Sequence, residues 1–533
     1  MPQPALILTG ASGFVGRHLL AELKGDYRIF AIARRSQREC GAPIDPNIAW
    51  MQVDLGDRED LGRALREIQS AGGAKFLIHL GAYYDFTGDR HPEYQRTNIG
   101  GTSNILDLVR PLRLERLFFA SSVAAHRFPR REGPITEATP PDGPHVYAWS
   151  KREGERLIRE CPKVPSCIVR FGAMFSDWCE YPPLYSFLQT WLGRSWRARA
   201  LPGKGNAAIP YIHVWDAVRF LRRLLEVHDR LGQAEPVIAS AAGSTPIKDL
   251  FHLATRHFFG RPQNPLFVPP PVCALGLHAT DLMGRVSGHR PFERPWMHSY
   301  IDKRMEVENT KTRAALEWSP LARYQIERRF PLMIERLRSE PLEWRARNEA
   351  AMRREADRPG LRVYKTLIAV EEEVIAAMAR ILDSPSGADL LAAFRKLDAA
   401  EFRWIVRLLF RLVLTTIQTS NRLLVLNYME VTCADRFRAG IRPEELRNLL
   451  KLLNDTILES LEGRPDFANL GQTIYDQITV PLQLAMDEVR EQHDRFQEGG
   501  VAPAEAAATS PLEGLSPREA LEQTIFSCLV QRK

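Results

Sequence analysis

The 533-residue chain has little cysteine: seven residues scattered at 40, 161, 167, 179, 273, 433 and 528. No Cys-x-x-Cys pair and no His-x-x-x-His partner accompanies them. Neither a disulfide framework nor a zinc site is expected, and a reducing, cytoplasmic setting is. Nor is there an excess of one charge. Seventy-two basic against 65 acidic residues give +7, too mild for this length to call for a nucleic-acid partner. No uninterrupted apolar run is long enough to span a bilayer. A strand is expected within four residues of the start, which leaves no room for a signal peptide. The length alone exceeds one ordinary core, so two or three domains are expected.

What is present organises itself around Ala5-Leu6-Ile7-Leu8-Thr9-Gly10-Ala11-Ser12-Gly13-Phe14-Val15-Gly16. An apolar run of strand length breaks into three glycines spaced three apart, and Arg17 to Leu23 reads as a helix. Strand, glycine turn and helix in that order are the context a dinucleotide fingerprint requires. Gly10 permits the tight turn, Gly13 lets backbone amides approach a pyrophosphate, and Gly16 lets the helix pack close. A diphosphate would meet unpaired amides at the positive end of the helix dipole.

A second strand, Tyr27 to Ala33, ends at Arg34-Arg35, where an NAD site usually carries an acidic residue. Two guanidiniums there suit a 2′-phosphate, so NADP is the expected cofactor, with NAD the alternative. The other reading of the pair is that both arginines are simply solvated. Strand Ile48 to Val53, helix Asp57 to Ser70 and strand Lys75 to Ala82 come next. Alternation at this spacing indicates a doubly wound parallel α/β sheet.

Leu117 to Ala120 reads as a strand ending at Ser121-Ser122, and His145 to Lys151 opens a helix. Tyr147 and Lys151, four apart, share one helix face. A phenol is a poor base near neutrality, and a neighbouring ammonium would favour its phenolate. Ser122 would then hold a substrate oxygen while Tyr147 exchanges the proton that accompanies hydride transfer.

With these residues the chain resembles an extended short-chain dehydrogenase/reductase, the NAD-dependent epimerase/dehydratase family, over about residues 4 to 345. Thr9-Gly10…Gly13-Phe14…Gly16, Asp54-Leu55, His79-Leu80-Gly81-Ala82, Thr97-Asn98 before Gly101-Thr102, Ser122, and Tyr147 with Lys151 carry the resemblance. Arg170, Ile212 to Ala217, and Asn309 to Pro320 add later landmarks. The resemblance implies a Rossmann fold with a small substrate-binding subdomain, whose substrate-facing elements lie mainly in 171–345. It assigns Ser122, Tyr147 and Lys151 to catalysis. Gly10, Ser12, Gly13, Phe14, Val15, Gly16, Arg34, Arg35, Asp54, Leu55, Leu80, Gly81, Ala82, Asn98 and Lys151 are assigned to the cofactor. By the same resemblance Asp54 and Leu55 border the adenine, Lys151 meets the nicotinamide ribose, and a homodimer is expected.

The departures from that pattern narrow the substrate. Sugar-nucleotide members generally carry Asn where Ala173 stands and often Arg where Ile209 stands, and both serve the substrate diphosphate. Dehydratase members place Asp-Glu after the catalytic hydroxyl, but Val123-Ala124 come after Ser122. A reductase or dehydrogenase acting on a less charged ketone or alcohol is therefore expected. The alternatives are a sugar-nucleotide epimerase with retained cofactor and a cofactor-sensing regulator acting through a partner. No metal site is expected. Of the aromatic residues Phe175, Trp178, Tyr181, Tyr185, Phe187, Trp191 and Trp196, most are expected in the core. Phe267 to Pro271 with Cys273 to Met283 reads as a lid or an apolar surface element. His126 and His213 are further acid/base candidates.

Residues 346–360 turn highly charged and read as a linker. Residues 361–497 lack glycine turns and strand signals and read as an all-α domain. Its helices are expected over Val363–Leu382, Gly387–Leu397, Ala400–Arg436, Arg442–Leu461 and Leu470–Gln497. Arg403, Arg407 and Arg411 lie on one helix face. They are expected to be the wet face of a core helix rather than a membrane contact. A protein partner for this domain is conceivable. A flexible tail with a short helix at Arg518 to Val530 is expected over 498–533.

Overall fold

The structure is a computed structural model that describes residues 3–498, apart from 86, 131, 194, 289, 353–358, 420, 463 and 465–469. The expected tail and its short helix lie outside the described residues but for Glu498. The chain divides into two compact units, Met1–Ile32 with Val53–Ala356, and Ala33–Gln52 with Asp357–Lys533.

The sheet contains β1 (Ala5–Thr9), β2 (Arg28–Ala33), β3 (Ile48–Gln52), β4 (Phe76–His79), β5 (Arg116–Ser122), β6 (Ser166–Phe171) and an edge strand, Glu235–Ala239. The spatial order is edge strand, β6, β5, β4, β1, β2, β3. The pairs from the edge strand through β2 are all parallel. Strands covered on both faces need apolar runs rather than alternation. Leu6, Ile7, Leu8, Leu77, Ile78, Cys167 and Ile168 are accordingly fully buried. Helices α1 (Phe14–Leu23), α2 (Arg58–Ser70), α3 (Gly101–Leu108) and α4 (Val146–Arg159) make crossovers. The order reverses between β1 and β4, so their C-terminal ends open a crevice of the kind that binds ligands in such sheets.

The expected strands and helices of this unit lie within a few residues of the observed ones. Asp57 caps α2 through its side chain, accepting from the Asp60 amide. That is why the helix proper begins one residue later than the sequence pattern suggests. Phe175, Tyr185 and Trp191 are core, with Trp178, Tyr181 and Phe187 packed against them. The Trp196 side chain lies outside the described residues. A helix over Pro341–Met352 runs through the first half of the charged 346–360 stretch, with Trp344 2% exposed.

Residues 359–498 are helical, with no strand among the described residues. The long helices are Pro359–Asp383, Ala399–Thr419, Leu424–Arg438, Pro443–Leu461 and Val480–Gln497. The single helix expected over Ala400–Arg436 is two. The Asn421 amide returns to the Thr416 carbonyl and closes the first helix, and Leu424 opens the next. The arginine ladder is an ion-pair set: Arg407 reaches Glu372 and Arg411 reaches Glu371 on the helix Pro359–Asp383, while Arg403 is exposed. No described helix is long and apolar enough to cross a membrane.

Candidate active site

The glycine turn is built by steric exclusion. Gly10 has φ +71°, and a Cβ there would lie 2.7 Å from the Gly81 nitrogen. A Cβ on Gly16 would lie 2.4 Å from the Gly10 carbonyl oxygen. Gly13 is the N-cap of α1 and offers no side chain to its first turn, and no acidic side chain enters that turn. The first amides of α1 therefore lack a side-chain cap, which suits an anion. Ser12 and Phe14 are half-buried on the turn, whereas Val15 is buried in the core. Its side chain is packing, so Val15 can offer a ligand only its backbone.

Across the crevice, Leu55 packs so closely on Gly81 that a Cβ there would meet it at 2.4 Å. Leu80 and Ala82 flank that glycine, half-buried. The Thr9 hydroxyl ties the two strand ends together, meeting the His79 ring at 2.7 Å and accepting from the Gly81 amide at 3.3 Å. Burial and the nearby Lys151 push His79 down to about 3, so it is neutral. Asp54 accepts from the Gly56 amide and pairs with Arg96 at 2.9 Å. Arg34, half-buried, and Arg35, exposed, come directly after β2.

Asn98 is engaged within the fold. Its side chain is 4% exposed and occupied: it donates to the Tyr83 carbonyl and to Ser150, and accepts from the Tyr83 amide at 2.6 Å. A side chain so engaged fastens the segment after β4 to α4 and has no donor left for a cofactor.

Ser122, Tyr147 and Lys151 come together. Ser122 ends β5, paired in register with Phe171 of β6. Its hydroxyl accepts from the Ala124 amide at 3.1 Å, donates to the Phe171 carbonyl at 3.4 Å, and lies close enough to the Tyr147 phenol to lower its proton affinity. Tyr147 lies in the first turn of α4, which His145 caps by accepting from the Ala148 amide. One turn on, Lys151 places Nζ 5.8 Å from the Tyr147 ring centre and donates to the Ala120 carbonyl at 2.7 Å.

The electrostatics reverse one expectation. Burial pushes the Tyr147 phenol up to about 12, against a smaller lowering by Ser122. Burial also pushes Lys151 down to about 8, with Glu155 partly opposing. Burial, not the lysine, decides the phenol's proton affinity here. Tyr147 is protonated at neutral pH.

The sequence reading missed the aromatic wall around Tyr147. The Tyr84 ring centre is 4.1 Å away, and the His145 ring lies nearly parallel at 6.1 Å. Trp296 stacks on His145 at 6.3 Å and donates to the Thr87 carbonyl. The Tyr83-Tyr84 pair just after the Gly81 turn was the available signal; Trp296 had none. Neither extra histidine joins the site. His126 is 1% exposed, with its ring nitrogens against the Val123 and Thr139 carbonyls. His213 is buried beside Asp177 and stacked on Tyr324. No group of side chains suited to a metal exists among the described residues.

Residues 6–240 match the model of the NAD dependent epimerase/dehydratase family. A putative dihydroflavonol 4-reductase from Synechocystis sp. is 34% identical over 119 residues, covering 22% of this chain and 32% of that protein. The match thus spans about a third of the relative's length. A putative UDP-glucose 4-epimerase from Methanocaldococcus jannaschii is 21% identical over 222 residues, covering 40% of this chain and 71% of its own. Among solved structures, a UDP-glucose 4-epimerase from Thermotoga maritima with UDP-glucose is 18% identical. It covers 63% of this chain and 98% of its own, with a TM-score of 0.47.

Proposed function

We propose that the chain is, through residues 6–240, a member of the NAD dependent epimerase/dehydratase family that reduces an apolar ketone, or oxidises the matching alcohol, by a Ser122–Tyr147–Lys151 mechanism. The observation that carries this reading is the meeting of Ser122, at the end of β5, with Tyr147 and Lys151 of α4, the Lys151 Nζ 5.8 Å from the Tyr147 ring centre.

A nicotinamide dinucleotide fits the residues present: the N-cap Gly13 gives α1 no side-chain cap, and Gly10 and Gly16 allow the tight strand–turn–helix approach that a Cβ would block. The glycine turn and the uncapped start of α1 would hold its diphosphate, Asp54 and Leu55 its adenosine end, and Lys151 its nicotinamide ribose. Arg34 and Arg35 favour a 2′-phosphate over a bare ribose. When bound, the nicotinamide supplies or accepts a hydride at the substrate carbon.

The chain's own residues handle the oxygen. Ser122 and Tyr147 together bind the carbonyl oxygen and fix its orientation. Tyr147, protonated well above neutrality, gives its proton to the oxygen as negative charge develops there. Lys151 then stabilises the phenolate left behind, the state in which its charge does most good. Tyr84, His145 and Trp296 offer an apolar, flat-walled surface for the substrate body. Ala173 and Ile209 supply no charge for a substrate diphosphate. The relative named a putative dihydroflavonol 4-reductase supports a reductase reading.

The test is turnover of aromatic and alicyclic ketones with NADPH and NADH by the wild type and Tyr147→Phe. The variant is expected to lose about 10²–10⁴ in kcat while binding cofactor as before. Activity that survives the change overturns the mechanism. The epimerase-named relative motivates one further control. Oxidised NAD carried through purification, with substrate inverted and no net oxidation, would assign the site to epimerisation.

A further inference from the structure

One face of this molecule inverts the usual arrangement of a surface helix. In the helix Pro270–Ser287, Asp281 and Gly284 are buried, whereas Leu275 is 72%, Leu282 64%, Met283 61% and Val286 85% exposed. At 3.6 residues per turn, Val272, Leu275, Ala279, Leu282, Met283 and Val286 fall within an arc of about 100° that contains no polar side chain. The short strand Leu266–Val268 just before it adds Leu266 and Phe267, each about half exposed. An outward apolar stripe four turns long is far from the scattered single residues that need no explanation.

The stripe is held outward. Asp281, on the opposite side of the helix, takes Arg285, Arg290 and Arg294 in ion pairs of 2.8–3.2 Å. The pairs to Arg290 and Arg294, outside the helix, pin its polar face, and rolling to bury the apolar one would break them. Exposed cations flank the stripe. Leu266–Val268 pairs with Ala200–Pro202, whose neighbourhood exposes Arg197, Arg199 and Lys204. Arg261 and Arg285 lie exposed on the other side. Of the acids in this region, Asp281 is buried in its ion pairs, one of them with Arg285, exposed Asp89 pairs with Arg290, and Asp302 is occupied by the Lys204 and Asn206 amides.

We propose that this face seats on an anionic lipid surface. The helix would lie in the plane of the interface, with its stripe among the acyl chains and the flanking cations against headgroups. Charge complementarity selects lipid over a second copy of the chain, because two such faces brought together would oppose their own cations. The surface also borders the site. The turn Pro295–Tyr300, which carries Trp296, comes directly after the Arg290 and Arg294 pairs with Asp281.

The full-length protein would be sedimented with phosphatidylcholine vesicles, with and without phosphatidylserine. Binding to the anionic vesicles that weakens with salt is expected. Leu275→Asp with Val286→Asp is expected to cut the bound fraction about tenfold or more. Both positions are exposed, and an unchanged melting temperature would verify the fold. Hydrogen exchange of the wild type should show protection of 270–287 on adding the anionic vesicles. Absence of wild-type binding, binding undiminished by the double substitution, or no protection of that helix overturns the proposal. So does a lipid-free dimer that the double substitution dissociates, which would assign the face to a second copy. None of these readouts involves turnover, so failure here leaves the reductase reading standing, and the reverse.

Discussion

Two cations are buried near the same carboxylate, and the protein treats them differently. Arg170, 1% exposed, is bidentate to Glu155 and also donates to the Glu137 and Thr139 carbonyls. Burial works against the Glu155 charge, yet Arg170, Ser121 and Arg159 outweigh it and hold Glu155 below its ordinary range. Lys151, 6% exposed, has the Ala120 carbonyl as its close partner and Glu155 only at a distance. Burial wins there, and Lys151 falls to about 8. A fully compensated ion is structure. An under-compensated one, beside a phenol, is held ready for a negative charge that is not yet there.

The largest effect that would sharpen this contrast is on stability. Arg170→Met leaves Glu155 buried without its main partner and should destabilise the protein by about 3–5 kcal/mol, read from denaturant unfolding of the first unit. Lys151→Met should do the opposite. It removes a charge that burial disfavours and orphans only one carbonyl. The cofactor-free protein should gain on the order of 1–2 kcal/mol near neutrality while turnover collapses. If both substitutions destabilise alike, Lys151 is a structural ion and the contrast fails. A smaller effect, on binding, is expected at the glycine turn. Gly16→Val drives side-chain atoms into the Gly10 and Ala11 carbonyls, so nucleotide affinity measured by fluorescence should fall by roughly 10²-fold or more.

The parts of this site that were legible in the sequence are those a single local rule dictates. Gly10 and Gly16 are visible because no other residue fits a positive φ or so close a strand–helix approach. Tyr147 and Lys151 are visible because four residues are one helical turn. The pairing of Asn98 was not legible because its partners, Tyr83 and Ser150, come from segments brought close only by folding. The Tyr147 proton affinity was misjudged for the same reason: it depends on burial in the fold, where Tyr84 comes against the ring from an earlier segment of the chain. In 359–498 periodicity located the helices but not the break at Asn421, which a backbone hydrogen bond closes without glycine or proline nearby.

The gentlest test is a pH profile. In the free protein Lys151 titrates near 8 and Tyr147 near 12. Below about pH 8 the lysine is charged and the phenol protonated, the pair that reduction requires. kcat/KM for ketone reduction should therefore be level through neutrality and fall as pH rises through about 8. The loss in that window tracks the lysine losing its proton, not the tyrosine. Lys151→Arg keeps its charge to far higher pH, so its residual activity should lose the limb near 8 and hold until the phenol titrates. A limb that stays near 8 in that variant would assign it to another group, and the under-compensated lysine would no longer be what sets the working range of the site.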